Sequence, residues 1–148
     1  MNTLEQFIAY ASDFEKTFAD DNWSRLHQYF HSDAIYEVCG GSMACKLQGP
    51  DAIFAGIKKS LDGLDRRFTN RKIQPGNDLK SDENTVSLSW TASYELDGQP
   101  PFVLAGRSEA RLHDGKISLL RDSYDPQVEK DFSAWMETTG IQLEPGYV

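Results

Sequence analysis

Residues 86–96 read VSLSWTASYEL, and their alternation constrains the chain more than any other stretch. The even positions hold Val86, Leu88, Trp90, Ala92, Tyr94 and Leu96, and between them stand Ser87, Ser89, Thr91, Ser93 and Glu95. Side chains on a strand point alternately to its two faces, so this stretch makes one apolar and one polar face. Asp97-Gly98 supplies a turn, and Pro100-Pro101 keeps the connection out of the ladder because proline has no N–H to give. A second strand is expected from about Phe102 to Leu112, a turn at Asp114-Gly115, and a third strand from Lys116 to about Tyr124. Antiparallel strands joined by short turns form a meander, and its greasy face needs a cover.

The rest of the chain supplies that cover. Leu4, Phe7, Ile8, Ala11, Phe14 and Phe18 recur at helical spacing, which predicts a helix from about Thr3 to Ala19. Asp20-Asp21-Asn22 ends it, and a short helix is expected from Trp23 to about Phe30. Ala34–Val38 reads as a short strand, and Gly40-Gly41 opens a loop that returns through Ala44–Leu47. Gly49-Pro50-Asp51 starts a helix whose apolar face is Ile53, Phe54, Ile57 and Leu61, with Gly63 as its stop. Asp65–Ile73 reads as a strand, and Pro75–Asn84 as a turn-rich connector. A last helix runs from about Gln127 to Thr139, carries Phe132, Trp135 and Met136, and stops at Gly140. Ile141–Val148 reads as an irregular surface tail. The order implies an α+β fold: a strongly bent antiparallel sheet with helices on its concave face. Helices that do not fill a bent sheet leave a cone-shaped cavity suited to a ligand.

A chain of 148 residues is long enough for one domain with a real core and short for two. The net charge of −8 sets an acidic surface that repels phosphates, which argues against nucleic acid and anionic membrane as partners. MNTLEQFIAY lacks a basic stretch followed by an apolar one, so a cytoplasmic location is expected. Cys39 and Cys45 enclose GGSMA, and free thiols are expected there in a reducing compartment. His27, His31 and His113 have no ligand spacing with each other or with the cysteines, so no metal is expected. Gly-rich phosphate loops, nucleophile elbows and HExxH are all missing, which removes nucleotide-dependent, serine-hydrolase and zinc-protease chemistry. No cofactor is implied.

The aromatic first helix, DDNWSRLHQYFHSDAIYEV, LQGPDAIFAGIKKSL and GKISLLRDSYD follow one another in an order that resembles the nuclear transport factor 2-like superfamily, in its SnoaL-like polyketide-cyclase branch. With the meander, the resemblance covers about residues 4 to 125. It implies a cystatin-like cone with a deep pocket, often paired into a homodimer through the sheet. It also allows position-by-position checks. The base carboxylate of ketosteroid isomerase falls by spacing on Val38, and its oxyanion-hole tyrosine falls on Phe14. Neither residue can do that work. The Arg-x-Asp pair of limonene epoxide hydrolase falls near Thr91 and Ser93 and is missing. Only its last-strand aspartate has a match, Asp122, which also resembles the acid/base of the SnoaL-like cyclases.

Strand parity puts Ser118, Leu120, Asp122 and Tyr124 on one face. A carboxyl against aromatic walls is pushed toward its neutral form, which suits an acid/base; the alternative is a structural pairing with an arginine. Tyr36, Val38, Trp90 and Tyr94 share the inward faces of their strands and either line a cavity or pack as core. Phe14, Phe54 and Phe68 complete the wall or fill the core. Asn70 is a candidate polar contact whose facing depends on register. Arg107, Glu109 and Arg111 alternate on the outer face, as a dimer contact or a solvated surface. Arg66-Arg67 with Arg71-Lys72 reads as a solvated basic edge or an anion site. Three functions stay open: a cofactor-free enzyme acting on a small, largely apolar molecule with Asp122 as acid/base, a non-catalytic binding or carrier domain, and a structural dimerisation module.

Overall fold

The computed structural model describes residues 1–41 and 43–141. In chain order its elements are helix α1 (Thr3–Asp20), strands β1 (Phe30–Cys39) and β2 (Cys45–Gln48), helix α2 (Pro50–Gly63), strands β3 (Asn70–Pro75), β4 (Lys80–Ser81), β5 (Thr85–Glu95), β6 (Phe102–His113) and β7 (Lys116–Ser123), and helix α3 (Pro126–Thr139). Turns of 3-10 helix at Trp23–Tyr29 and Asp65–Arg67 lead into β1 and β3.

Local chemistry explains the helix ends. The Asn2 side chain accepts from the Glu5 N–H while Glu5 returns the bond to the Asn2 N–H, a reciprocal cap on α1. Asp125 caps α3 by accepting from the Gln127 N–H, Pro126 occupies the first turn, and Gly140 takes the left-handed conformation that ends it. The face of α1 differs from the expected one. Phe7, Tyr10 and Thr17 are buried, whereas Ile8 is 53% exposed and Ala11 is exposed. Polar residues set the phase here: the Tyr10 ring packs inward, and Thr17 is satisfied by its bond to the Asp13 carbonyl.

β5, β6 and β7 form the expected meander, with β5 paired to β6 from Thr85↔Arg111 to Tyr94↔Phe102. Val86, Ala92, Tyr94, Leu104, Ala110 and Leu112 are buried on its inner face. Ser89 and Arg107 lie on the outer face, where both bond to Asp78. The sheet order is β2-β1-β7-β6-β5-β3, with β4 on β5. The sheet is mixed rather than wholly antiparallel, because β1 runs parallel to β7. A tight turn dictates an antiparallel partner, but β1 and β7 are joined through most of the chain, and a long crossover permits the parallel arrangement.

Two further elements depart from the expected reading. Asp65–Ile73 is not one strand: Asp65–Arg67 is a 3-10 turn and β3 starts at Asn70. On β7 the pairing jumps from Arg111↔Leu119 to Leu112↔Ile117, so Ser118 is the extra residue of a bulge and its hydroxyl donates to the Arg111 carbonyl. Ile117 and Leu120 are therefore both buried, and Ser118 does not share the face of Leu120.

The concave face carries two cores. In one, Phe7, Tyr10, Leu26, Ile53, Phe54, Ile57 and Leu61 of the helical segments meet Ala34, Val86, Ala110, Ile117 and Leu120 of the sheet. In the other, Phe132, Trp135 and Met136 of α3 meet Val38, Ala92, Tyr94 and Leu104. Trp135 Nε1 donates to the Pro100 carbonyl, which ties α3 to the β5–β6 connection. The expected surface tail lies outside the described residues from 142 onward, while Ile141 is buried against the α3 core. Among the described residues, no helix is long and apolar enough to cross a membrane.

Candidate functional site

A polar seam crosses the concave face between the two cores. Tyr36 on β1, Asp122 on β7, Ser108 on β6 and Trp90 on β5 lie on successive strands of the sheet. The Tyr36 hydroxyl donates to Asp122 Oδ2 at 2.9 Å, and the Ser108 hydroxyl donates to Asp122 Oδ1 at 2.6 Å. Trp90 Nε1 donates to Ser108 Oγ at 2.8 Å. Register explains the reach. Ser108 stands directly opposite Asp122, while Val38 is Asp122's neighbour on β1 and Leu88 is Ser108's on β5, so Tyr36 and Trp90 both bond diagonally. Gly106 makes room for this. It stands opposite Trp90, and a Cβ added there would lie 2.7 Å from the indole Cζ2 and 3.1 Å from Tyr124 Cε1. The Tyr124 ring packs edge-on against Trp90 at 5.9 Å.

Tyr36, Leu88, Trp90, Ser108, Asp122 and Tyr124 are only half-buried, whereas their neighbours on the same face are buried. The seam is thus the part of the concave face that the helices leave incompletely covered. Burial pushes the Asp122 carboxyl above its ordinary value, against the pull of the Ser108 and Tyr36 hydroxyls. Burial also raises Tyr36 well above the usual phenol value, with the Asp122 and Tyr124 charges adding to it. Tyr10 on α1 is raised by burial and then by Asp122, and its hydroxyl makes no hydrogen bond among the described residues. The Cys45 thiol is raised by burial, with Asp122 adding to it. No lysine, arginine or histidine among the described residues bonds to Asp122. Its chain neighbour Arg121 points to the outer face and pairs with Glu37 at 3.3 Å.

A second carboxylate, on the 3-10 turn before β3, meets the far end of β5. Asp65 accepts from Arg71 Nε at 2.7 Å and from the Tyr94 hydroxyl at 3.1 Å. The Arg71 guanidinium also reaches Glu15 and lies 4.3 Å from the centre of the Phe18 ring. Burial works against the Arg71 charge, but Asp65 and Glu15 outweigh it and hold the guanidinium above its ordinary value. Arg66 is likewise taken by Asp21 and Asp62, so neither arginine is left over for a bound anion.

The structure brings together Asp122, Tyr36, Trp90 and Tyr124 from the residues expected at the site, with Val38 and Leu120 as their buried neighbours. Tyr94 is buried and serves Asp65 instead. Phe14 packs on Tyr10 and Trp23, and Phe54 on Trp23, His27 and Phe30, so both belong to the aromatic core. Asn70 is exposed on the edge strand β3 and does not reach the seam. Ser108, Tyr10 and Cys45 are site neighbours that the sequence reading passed over. Ser108 had a signal: it is the one hydroxyl on the inner parity of β6, among Leu104, Gly106, Ala110 and Leu112. Cys39 and Cys45 are both free thiols. A separate hollow of about 360 Å3 lies at the start of α1, lined by Asn2, Thr3, Gln6, Asp82, Glu83 and Gly115 among others, and shares no residue with the seam.

Comparison with known proteins places this geometry. No curated protein matches the chain in sequence. Among solved structures it is similar to TerC co-crystallized with polyporic acid, at 16% identity and a TM-score of 0.67 over 91% of this chain and 98% of that one. It is similar to a putative isomerase from Bacillus subtilis, at 18% identity and a TM-score of 0.66 over 91% and 97%. A hypothetical protein with a ketosteroid isomerase-like fold from Catenulispora acidiphila, in complex with trimethylamine, aligns at 14% identity and a TM-score of 0.63 over 92% and 97%. At these identities the likeness establishes the fold alone: an α+β, cystatin-like cone of the nuclear transport factor 2 type. The profile of the SnoaL-like domain matches residues 11–120, most of the chain, and the protein therefore belongs to the SnoaL-like domain family.

Proposed function

We propose that the protein binds a small, largely apolar molecule on the open seam of its concave face and acts on it by proton transfer at Asp122, without a cofactor. The observation that carries this reading is the Asp122 carboxyl itself. It is half-buried, raised by desolvation, unpaired by any cation of the described residues, and flanked by the partly open rings of Tyr36, Trp90 and Tyr124. Such a carboxyl exchanges protons closer to neutrality than an exposed one. The aromatic rings supply apolar contact area, and their polar tips orient a ligand's single polar group. Relatives of the same fold have been seen with polyporic acid and with trimethylamine, which supports a small-molecule occupant.

A second reading is a binding domain with the same seam and no turnover. It is favoured by the phenols of Tyr10 and Tyr36, which are both pushed upward, away from the range in which a second acid/base group would work beside Asp122. Native mass spectrometry of the purified protein identifies a co-purified molecule, and its subunit count reads whether the outer faces of β5 and β6 hold two copies together. With that molecule or its precursor as substrate, Asp122→Asn is expected to abolish turnover while changing affinity less than about tenfold. Turnover that survives the change removes the catalytic reading, and a protein that carries and binds no small molecule removes both.

A further inference from the structure

We infer that Ser108, oriented by the Trp90 indole, is the positioning residue that holds Asp122 as an ionised hydrogen-bond acceptor, which makes Asp122 the base rather than the acid of the site. The inference rests on the proposed role of Asp122 and adds the direction of its proton transfer.

The argument is one of donors and acceptors. An indole N–H can only donate, so the 2.8 Å contact fixes Ser108 Oγ as its acceptor. One lone pair of Ser108 is then occupied, and the serine's own hydrogen needs an acceptor elsewhere. Asp122 Oδ1, at 2.6 Å, is the acceptor in line. The other carboxylate oxygen receives the Tyr36 hydroxyl. Both oxygens of Asp122 therefore accept, and a neutral carboxylic acid would leave its own hydrogen competing with one of those donors. Each oxygen keeps one lone pair for the ligand. The resting site thus accepts a hydrogen from the ligand: the proton moves to Asp122, the bonding pair stays on the ligand, and the neutral carboxyl returns the proton later in the cycle.

Among the described residues, Tyr36 from β1 shares this control through its own hydrogen bond, and Cys45 from β2, Tyr124 from β7 and Tyr10 from α1 also face Asp122; none of them is a cation. The chain of bonds also depends on a backbone feature. The indole can lie across β6 only because position 106 has no side chain, since an added Cβ would strike it at 2.7 Å.

The test is a carbon-13 NMR titration of the Asp122 carboxyl in the ligand-free full-length protein, assigned by comparison with Asp122→Asn. Ser108→Ala is expected to raise the Asp122 midpoint by about one unit, a tenfold rise in its proton affinity. Trp90→Phe keeps a ring but loses the N–H, and is expected to raise the midpoint by less. Ser108→Thr keeps the hydroxyl and is expected to restore the wild-type midpoint. A midpoint unmoved in Ser108→Ala overturns the inference even if the variant is less stable. So does a lower midpoint, or a Ser108→Thr protein that behaves like alanine. Should Ser108→Ala fail to fold, Trp90→Phe decides alone: no rise in midpoint overturns the inference. No ligand enters the titration, so its failure is separate from a failure of the ligand or turnover experiments.

Discussion

Two aspartates lie on the same concave face, and their surroundings differ in one respect. Asp65 and Asp122 are each partly buried, each accepts from a tyrosine hydroxyl, and each is pushed upward by burial. Asp65 has Arg71 beside it at 2.7 Å, and the two side chains are 11% and 9% exposed. Asp122 has hydroxyls only. An arginine cannot give up its proton, so Asp65 is neutralised as a pair and has no tendency to move a proton. Asp122 has no such partner, and its proton affinity depends on two weak donors. The difference separates a carboxylate that braces the fold from one poised to meet a ligand.

The largest effect that bears on this contrast comes from removing the cation. Arg71→Met keeps the length of the side chain and its contact with Phe18 but leaves Asp65 enclosed and unpaired. Breaking one partner of a buried pair costs about 3–5 kcal/mol, so the variant is expected to unfold at markedly lower urea concentration than wild type. Asp122→Asn, which removes a charge that has no cation, is expected to cost less than about 1 kcal/mol, a cost that shrinks or reverses as pH rises. Equal losses in the two variants would erase the distinction between the two sites. A smaller loss belongs to Gly106→Ala. The backbone there is ordinary and the cost is steric, since the new methyl meets the rigid Trp90 and Tyr124 rings. Overpacking of this kind costs about 1–3 kcal/mol. Urea unfolding measures it, and a neutral result would mean that the rings are free to move aside.

How far the sequence reveals the two sites follows from the range of the signals. Alternation in 86–96 places Trp90 and Tyr94 inward, and last-strand parity places Asp122 with Leu120, because side-chain direction on a strand is a local property. The bulge at Ser118 breaks that parity without harm to Asp122, since it lies before Leu120. Partners are not local. Asp65 reads as the start of a strand because nothing nearby shows that its carboxyl is needed by Arg71 and Tyr94. The parallel pairing of β1 with β7 brings Tyr36 to Asp122 across 86 positions of chain, and no turn signal reports it. Asn70 fails for the same reason, its exposure being decided by the edge position of β3.

The smallest effect is also the most specific to Asp122, and it lies in the pH dependence of stability. The folded protein holds the Asp122 proton more tightly than the unfolded chain, whose carboxyl titrates near the ordinary 3.8. Below that value both states are protonated, and the group adds nothing to the balance. As pH rises, the unfolded chain loses its proton first, so the native state binds more protons and stability falls with pH. The loss is complete once pH passes the raised folded value. Asparagine has no proton to lose. The stability of Asp122→Asn minus that of wild type is therefore expected to climb as pH rises from about 4 and to level off once pH has passed the raised folded value, by roughly 1.4 kcal/mol for each unit by which the folded carboxyl is raised. Asp65 and the surface carboxylates are present in both proteins and cancel in the difference. Urea titrations at several pH values measure it directly. A difference that stays flat would mean that the two hydroxyls offset the burial in full, and a difference that falls would mean that they outweigh it.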